Sequence, residues 1–336
     1  MHTSPFIKGA SMLRNTLFWI GLAVLGCGDP LMAQQSLSPD PALPARIEIH
    51  ALATQTLSAN ELLLGSGPGK PHFLAAELRI PQGSQAKFPA VVLMHGSGGI
   101  GSNIEIWTQA LNRSGIATLV VDAFSGRGIT STIQDQTQLN SFSMLVDAYR
   151  ALDLLTTHPR IDPKKISIMG FSKGAVASMF SASTRFNAMY GKGHQFASHI
   201  GLYVPCNSRV MGDTDVTGAP MRFYNGTGDD YVSVGPCRAF VAELKAKGAD
   251  AILTEFENTE HGYDVPLLPV KMALPKAQST RNCMFIEKPK GHFVNASSGE
   301  PFSYNDACIA VGAHVGHSAD STAKTIKSVI ELLKSL

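Results

Sequence analysis

Ser172 stands between two glycines in Gly170-Phe171-Ser172-Lys173-Gly174, after the strand-like run Lys165-Ile166-Ser167-Ile168-Met169 and before the helix-like run Ala175-Val176-Ala177-Ser178-Met179-Phe180. Strand, G-x-S-x-G and helix in that order describe a serine held on a sharp turn as a nucleophile. The glycines let the chain fold tightly beside the serine. The helix that follows begins with unpaired N–H groups and the positive end of its dipole, which suits a developing oxyanion. The chemistry to expect is attack of a serine oxygen on an acyl carbon.

A serine hydroxyl is a weak nucleophile on its own and needs a base within hydrogen-bond reach, itself oriented by a third group. Downstream, Phe223-Tyr224-Asn225-Gly226-Thr227-Gly228-Asp229-Asp230 reads as a strand ending in a Gly-rich turn that carries two acids. Glu255 to Asp264 reads as a strand ending in a loop that carries His261. Of the eleven histidines, His261 is the one just beyond the strand that follows the acid-bearing turn, so it is the expected base. Asp229 is the first candidate for the orienting acid and Asp230 the second. The loop His95-Gly96-Ser97-Gly98-Gly99 follows an apolar strand, and the Ser97 N–H is expected to pair with that of Lys173 as an oxyanion site. His314 and His317 have H-x-x-H spacing but no clear further ligand, so no metal site is expected there.

These residues must be carried by an alternating frame. Strands are expected at 45–52, 72–80, 90–95, 116–122, 165–170, 199–204, 220–225 and 250–256, and helices at 103–114, 142–157, 174–183, 235–247 and 321–335. Continuously apolar strands such as Ala90-Val91-Val92-Leu93-Met94 are those of a parallel sheet covered on both faces. The expected fold class is α/β: a doubly wound, mostly parallel sheet of about eight strands, with the first two forming an antiparallel edge. Serine, acid and histidine then all fall at the C-terminal ends of strands, where open α/β sheets bind ligands. The stretch 262–320 breaks the rhythm; rich in Pro, Gly, Asn and Ser, it reads as an irregular insert or lid.

With 336 residues, 44% hydrophobic, 16% charged and a net charge of +2, the chain is an ordinary globular protein with no electrostatic case for nucleic acid. Lys8 and Arg14 precede the apolar run Leu17–Gly26, the pattern of an export signal. Cleavage after Ala33 gives a soluble exported protein, with 34–44 a flexible lead-in and 45–336 a single domain. Val24-Leu25-Gly26-Cys27 has the look of a lipobox, which would anchor the chain by a lipid on Cys27. The soluble form is preferred because Leu25 departs from that pattern, and a retained membrane anchor is the third case. Export leaves an even set of cysteines, Cys206, Cys237, Cys283 and Cys308, for disulfides. Cys206 and Cys237 are plausible neighbours at one sheet edge, and Cys283 with Cys308 would staple the insert. Four free thiols remain the alternative, and zinc a weaker one.

From about residue 72 to 264 the chain resembles the dienelactone hydrolase family of α/β hydrolases. The likeness rests on Leu93–Gly99, Val121-Asp122-Ala123-Phe124, Gly170–Gly174, Gly226-Thr227-Gly228-Asp229-Asp230 and His261-Gly262-Tyr263-Asp264. It implies an α/β-hydrolase fold and the order Ser172, Asp229, His261, with Asp229 three residues after the turn glycine. It also implies an arginine for the substrate, for which Arg127 is the candidate. The sequence departs from the founding members, which use cysteine and an oxyanion-loop glutamate, where this chain has Ser172 and Gly96. Dienelactone is therefore not the expected substrate. The expectation is an exported serine hydrolase of carboxylic esters or lactones, taking a small-molecule substrate and needing no cofactor. A serine peptidase or acyltransferase on the same residues, and a non-catalytic binder with a hydrolase fold, are the alternatives.

Overall fold

The computed structural model describes residues 40–336. The expected export signal, its cleavage site and Cys27 lie outside the described residues.

Among the described residues, thirteen strands alternate with seven α-helices. The strands are β1 Arg46–Thr56, β2 Lys70–Ile80, β3 Phe88–Met94, β4 Ala117–Asp122, β5 Ile161–Phe171, β6 His199–Leu202, β7 Ser208–Arg209, β8 Met221–Gly226, β9 Ala251–Phe256, β10 Met272–Ser279, β11 Phe285–Lys288, β12 His292–Asn295 and β13 Ala310–Val315. The helices are α1 Ala59–Leu64, α2 Ser102–Arg113, α3 Ser143–Thr157, α4 Lys173–Phe180, α5 Thr184–Tyr190, α6 Gly235–Ala246 and α7 Ala319–Ser335. Eight strands form the central sheet in the order β1-β2-β4-β3-β5-β6-β8-β9. Only β2 runs against its neighbours; from β4 to β9 every pairing is parallel.

The apolar runs are explained by two cores. Along β3, Ala90, Val92 and Met94 pack into the core shared with α3 and α4, while Val91 and Leu93 face Trp107 and Leu111 of α2 and Val329 of α7. Successive side chains point to opposite faces of a strand, so a strand buried on both faces must be apolar at every position. β5 divides the same way, Ile166 and Ile168 to one core and Met169 and Phe171 to the other. Phe171 thereby fixes the last turn of β5 just before Ser172.

The insert is more regular than its sequence suggests. β10 pairs with β13, and β11 pairs with β12 and β7 in a second small sheet. Pro275 lies within β10, where the register slips between Leu274 and Gln278. A proline cannot donate to a ladder, so this strand has no sequence alternation to betray it. The insert is fastened by the Cys283–Cys308 disulfide, and Cys206–Cys237 joins the end of β6 to α6; the Cα separations are 5.1 and 4.9 Å. Glu287 of β11, fully buried, forms a two-pronged ion pair with Arg185 of α5 at 2.7 and 2.8 Å.

Candidate active site

Ser172 is held at φ 50°, ψ −113°, between the last residue of β5 and the first of α4. A non-glycine residue in this region stores about 1–3 kcal/mol, and such strain collects at functional turns. Both flanking glycines are sterically required. A Cβ on Gly170 would run into the backbone of Gly174 and Ala175, and one on Gly174 into the carbonyls of Met94 and His95. The G-x-S-x-G spacing is therefore the imprint of α4 folding back over β5 while pressed against the end of β3.

His261 Nε2 lies 3.0 Å from Ser172 Oγ, and His261 Nδ1 lies 2.7 Å from Asp229 Oδ2. The other oxygen of Asp229 accepts the N–H groups of Tyr231 and Val232, each at 2.8 Å. Each carboxylate oxygen therefore has its own assignment, and the imidazole proton sits on Nδ1, leaving Nε2 free to accept from the serine. The imidazole is flanked by Tyr203 and Tyr231, with ring centroids 4.6 and 4.9 Å away. Tyr203 is in turn pinned through its hydroxyl, which donates to the buried Asp264 at 2.9 Å; Trp107 Nε1 donates to the same carboxyl at 2.7 Å. Burial raises the pKa of Asp264, opposed by these donors.

Between β3 and α2, the loop His95–Gly99 crosses in front of Ser172. His95 is buried and links the loop to the end of β4: Ala123 N–H donates to its Nε2 at 3.1 Å, so its Nδ1–H donates to the Gly96 carbonyl at 2.8 Å. Burial lowers the His95 pKa and keeps this neutral tautomer. The Gln136 side chain then ties the loop to α4. Its amide nitrogen donates to Ser97 Oγ at 3.1 Å and its oxygen accepts from Lys173 Nζ at 3.0 Å. Ser97 and Lys173, the two residues expected to donate to an oxyanion, are thus joined through one side chain.

The dienelactone hydrolase family model matches residues 74–282. The chain belongs to the dienelactone hydrolase family. As a member it is a carboxylic ester hydrolase, acting on small-molecule esters or lactones. Among solved structures it is similar in fold to a dienelactone hydrolase-like promiscuous phosphotriesterase from metagenomic libraries: 15% identity, TM-score 0.53, over 86% of this chain and 98% of that one. It is likewise similar to a candidate dienelactone hydrolase from Klebsiella pneumoniae subsp. pneumoniae MGH 78578, at 12% identity and TM-score 0.53, over 87% of this chain and all of that one. No curated protein matches it in sequence.

Within the family frame, Gly96 stands where a side chain would meet Ser172: a Cβ there would lie 3.2 Å from the Phe171 carbonyl oxygen and 3.4 Å from the Ser172 Cβ. Asp230, the second candidate acid, points away from His261 and accepts from both the N–H and Nδ1 of His314, each at 2.7 Å. His314 is thereby occupied in fixing β13 to the acid-bearing turn, and His317 Nδ1 bonds the Tyr263 carbonyl at 2.8 Å.

Arg127 corrects an expectation. It does not face Ser172. Its guanidinium is buried, paired in two-pronged fashion with Asp147 of α3 at 2.8 Å per contact and bonded to Thr56 Oγ1 at 2.6 Å. Asp147 is itself fully buried on α3 and needs a cation, and a bidentate guanidinium meets that demand. The groups that do shape the site and that residue patterns gave no hint of are Gln136, Tyr203 and Tyr231; Asp264 belongs to the His261–Asp264 motif, but its bonds to Tyr203 and Trp107 were not legible there. Each is set by packing between segments far apart in the chain.

Lys173 carries a cost that its position explains. Its side chain is buried, and desolvation lowers its pKa from 10.5 to about 7, opposed by the charge of Asp135. An unfolded lysine stays protonated up to about 10.5, so between pH 10.5 and 7 the unfolded chain binds the extra proton. Stability therefore falls as pH drops through that window, by roughly 5 kcal/mol at full extent. Lys173→Met is expected to raise the thermal midpoint, with a gain of about 1–4 kcal/mol at pH 7 that shrinks toward pH 10. Melting curves of both proteins at pH 7, 8.5 and 10 test this; no gain at pH 7, or one that grows with pH, would contradict it.

Proposed function

We propose that the chain hydrolyses esters through Ser172 as nucleophile, His261 as general base and acid, and Asp229 as the residue that orients the imidazole. The observation that carries this is the unbroken hydrogen-bonded line from Asp229 through His261 to Ser172 at the C-terminal edge of the sheet. Ser172 Oγ attacks the acyl carbon as its proton passes to His261 Nε2, and the carbonyl oxygen becomes an oxyanion held by the Ser97 and Lys173 N–H groups. The bond to the alcohol breaks as His261 returns the proton to the leaving oxygen. A water molecule, deprotonated by the same imidazole, then splits the acyl-serine and regenerates the hydroxyl. The chain is further proposed to be exported after cleavage of residues 1–33, a reading supported by the Lys8–Gly26 pattern and by two disulfides, which persist in oxidising compartments. Turnover of p-nitrophenyl acetate and of a simple δ-lactone at pH 8 tests the activity. Product release above the uncatalysed rate for either is expected, and none for both would refute it.

A further inference from the structure

Two recesses meet at Ser172, and they differ in the groups that line them. One, of about 270 Å³, has His261 in its wall together with Ile133, Leu268, Leu274 and Val315. The other is a passage of about 60 Å³ whose wall includes Lys173, Gln136, Ser141 and Tyr304. That passage shares Gln136, Ser141, Pro205, Thr280 and Tyr304 with a cavity of about 570 Å³ beneath the insert, whose wall carries Phe142, Phe285, Phe293 and Phe302.

Acyl transfer dictates which side takes which half of an ester. The leaving oxygen must reach His261 Nε2 to receive its proton, so the alcohol lies on the His261 side. The carbonyl oxygen points at the Ser97 and Lys173 N–H groups. The remaining substituent, the acyl chain, is then directed past Lys173 into the passage. We propose that the 570 Å³ cavity is an acyl-binding site, and that the substrates are esters of acids with a polar group near the carboxyl and an aromatic or equally broad apolar end, joined to a small alcohol. This rests on the serine mechanism proposed above.

The chemistry of the walls supplies both parts of that description. In the passage the Lys173 amine hydrogen-bonds, among the described residues, only Gln136, and the Tyr231 hydroxyl is buried beside Gln136 without a well-formed hydrogen bond. A bare methylene chain there would leave these groups unpaired, whereas a hydroxyl or carbonyl would pair with them. Farther in, Phe285 and Phe302 lie 4.0 Å apart by centroid, Phe302 and Tyr304 5.1 Å, and Phe142 and Phe293 5.1 Å. Tilted rings at these spacings offer edges and faces to a further aromatic group.

The test compares two isomers, methyl 3-hydroxy-5-(2-naphthyl)pentanoate and 2-hydroxy-4-(2-naphthyl)butyl acetate, which place the same bulky group on the acid or on the alcohol. The expected result is a kcat/KM at least tenfold higher for the methyl ester. Ala59→Trp, which fills the cavity from α1, should bring the ratio of the two constants at least fivefold closer to one. Equal constants, preference for the acetate, or no turnover of either isomer by a protein that hydrolyses p-nitrophenyl acetate would overturn the acyl site and leave the serine mechanism standing. Failure on p-nitrophenyl acetate as well would remove both. The isomer comparison with the unaltered protein stands whether or not the tryptophan variant folds.

Discussion

Ser172→Ala is expected to lower kcat for p-nitrophenyl acetate by about 10⁵–10⁶-fold while moving the thermal midpoint by no more than about 2 °C. The loss is large because the proposed mechanism forms the acyl bond at the Ser172 oxygen; the oxyanion donors and the binding surfaces that remain give residual catalysis over water alone. The stability change is small because the Ser172 hydroxyl makes a single side-chain hydrogen bond, to His261, and because alanine accepts the same strained φ no worse than serine does. The two readouts must be taken together. A dead variant that also melts ten degrees lower would say only that the turn had collapsed.

Asp229→Asn should cost about 10⁴-fold in kcat with the fold intact, and the structure gives the reason at the level of single atoms. Two backbone N–H groups, those of Tyr231 and Val232, donate to Oδ1. An asparagine must keep its oxygen there, since its NH₂ would face two donors. That leaves the NH₂ opposite His261 Nδ1, where the carboxylate oxygen sits 2.7 Å away in the native protein. The imidazole then presents a lone pair at Nδ1 and carries its proton on Nε2, the atom that must accept from Ser172. Asp230→Asn, by contrast, touches the link to His314 and should leave kcat within about threefold, because a surface pair of this kind contributes little. Steady-state kinetics of the two asparagine variants side by side test the assignment; a larger loss for the Asp230 variant would reverse it.

Much of this arrangement was legible in the residues. The central strands of the sheet announce themselves because burial on both faces leaves no polar alternation to confuse with a helix, as in Val91 to Met94, whereas β1 and β2 at the edge show the alternation of a half-exposed pair. The G-x-S-x-G turn is legible because two steric clashes write two glycines into the chain. Asp229 and His261 follow from the rule that functional loops sit at the C-terminal ends of parallel strands. Arg127 was misleading for the converse reason: a surface-like Ser-Gly-Arg-Gly segment gives no sign that Asp147, on a helix face, waits for its guanidinium. Gln136 was invisible because its importance arises from Ser97 and Lys173 closing on it from opposite directions. The strands of the insert escaped notice because Pro275 and the loop-rich composition mask ladders held by distant partners.

The proposed mechanism requires a covalent acyl-serine at one residue. Incubation with a fluorophosphonate followed by intact-mass analysis and peptide mapping reads this directly. One adduct per chain, located on the peptide bearing Ser172 and absent from Ser172→Ala, is the predicted result. An unmodified protein that still turns over esters, or an adduct on any other residue with Ser172 untouched, would contradict it.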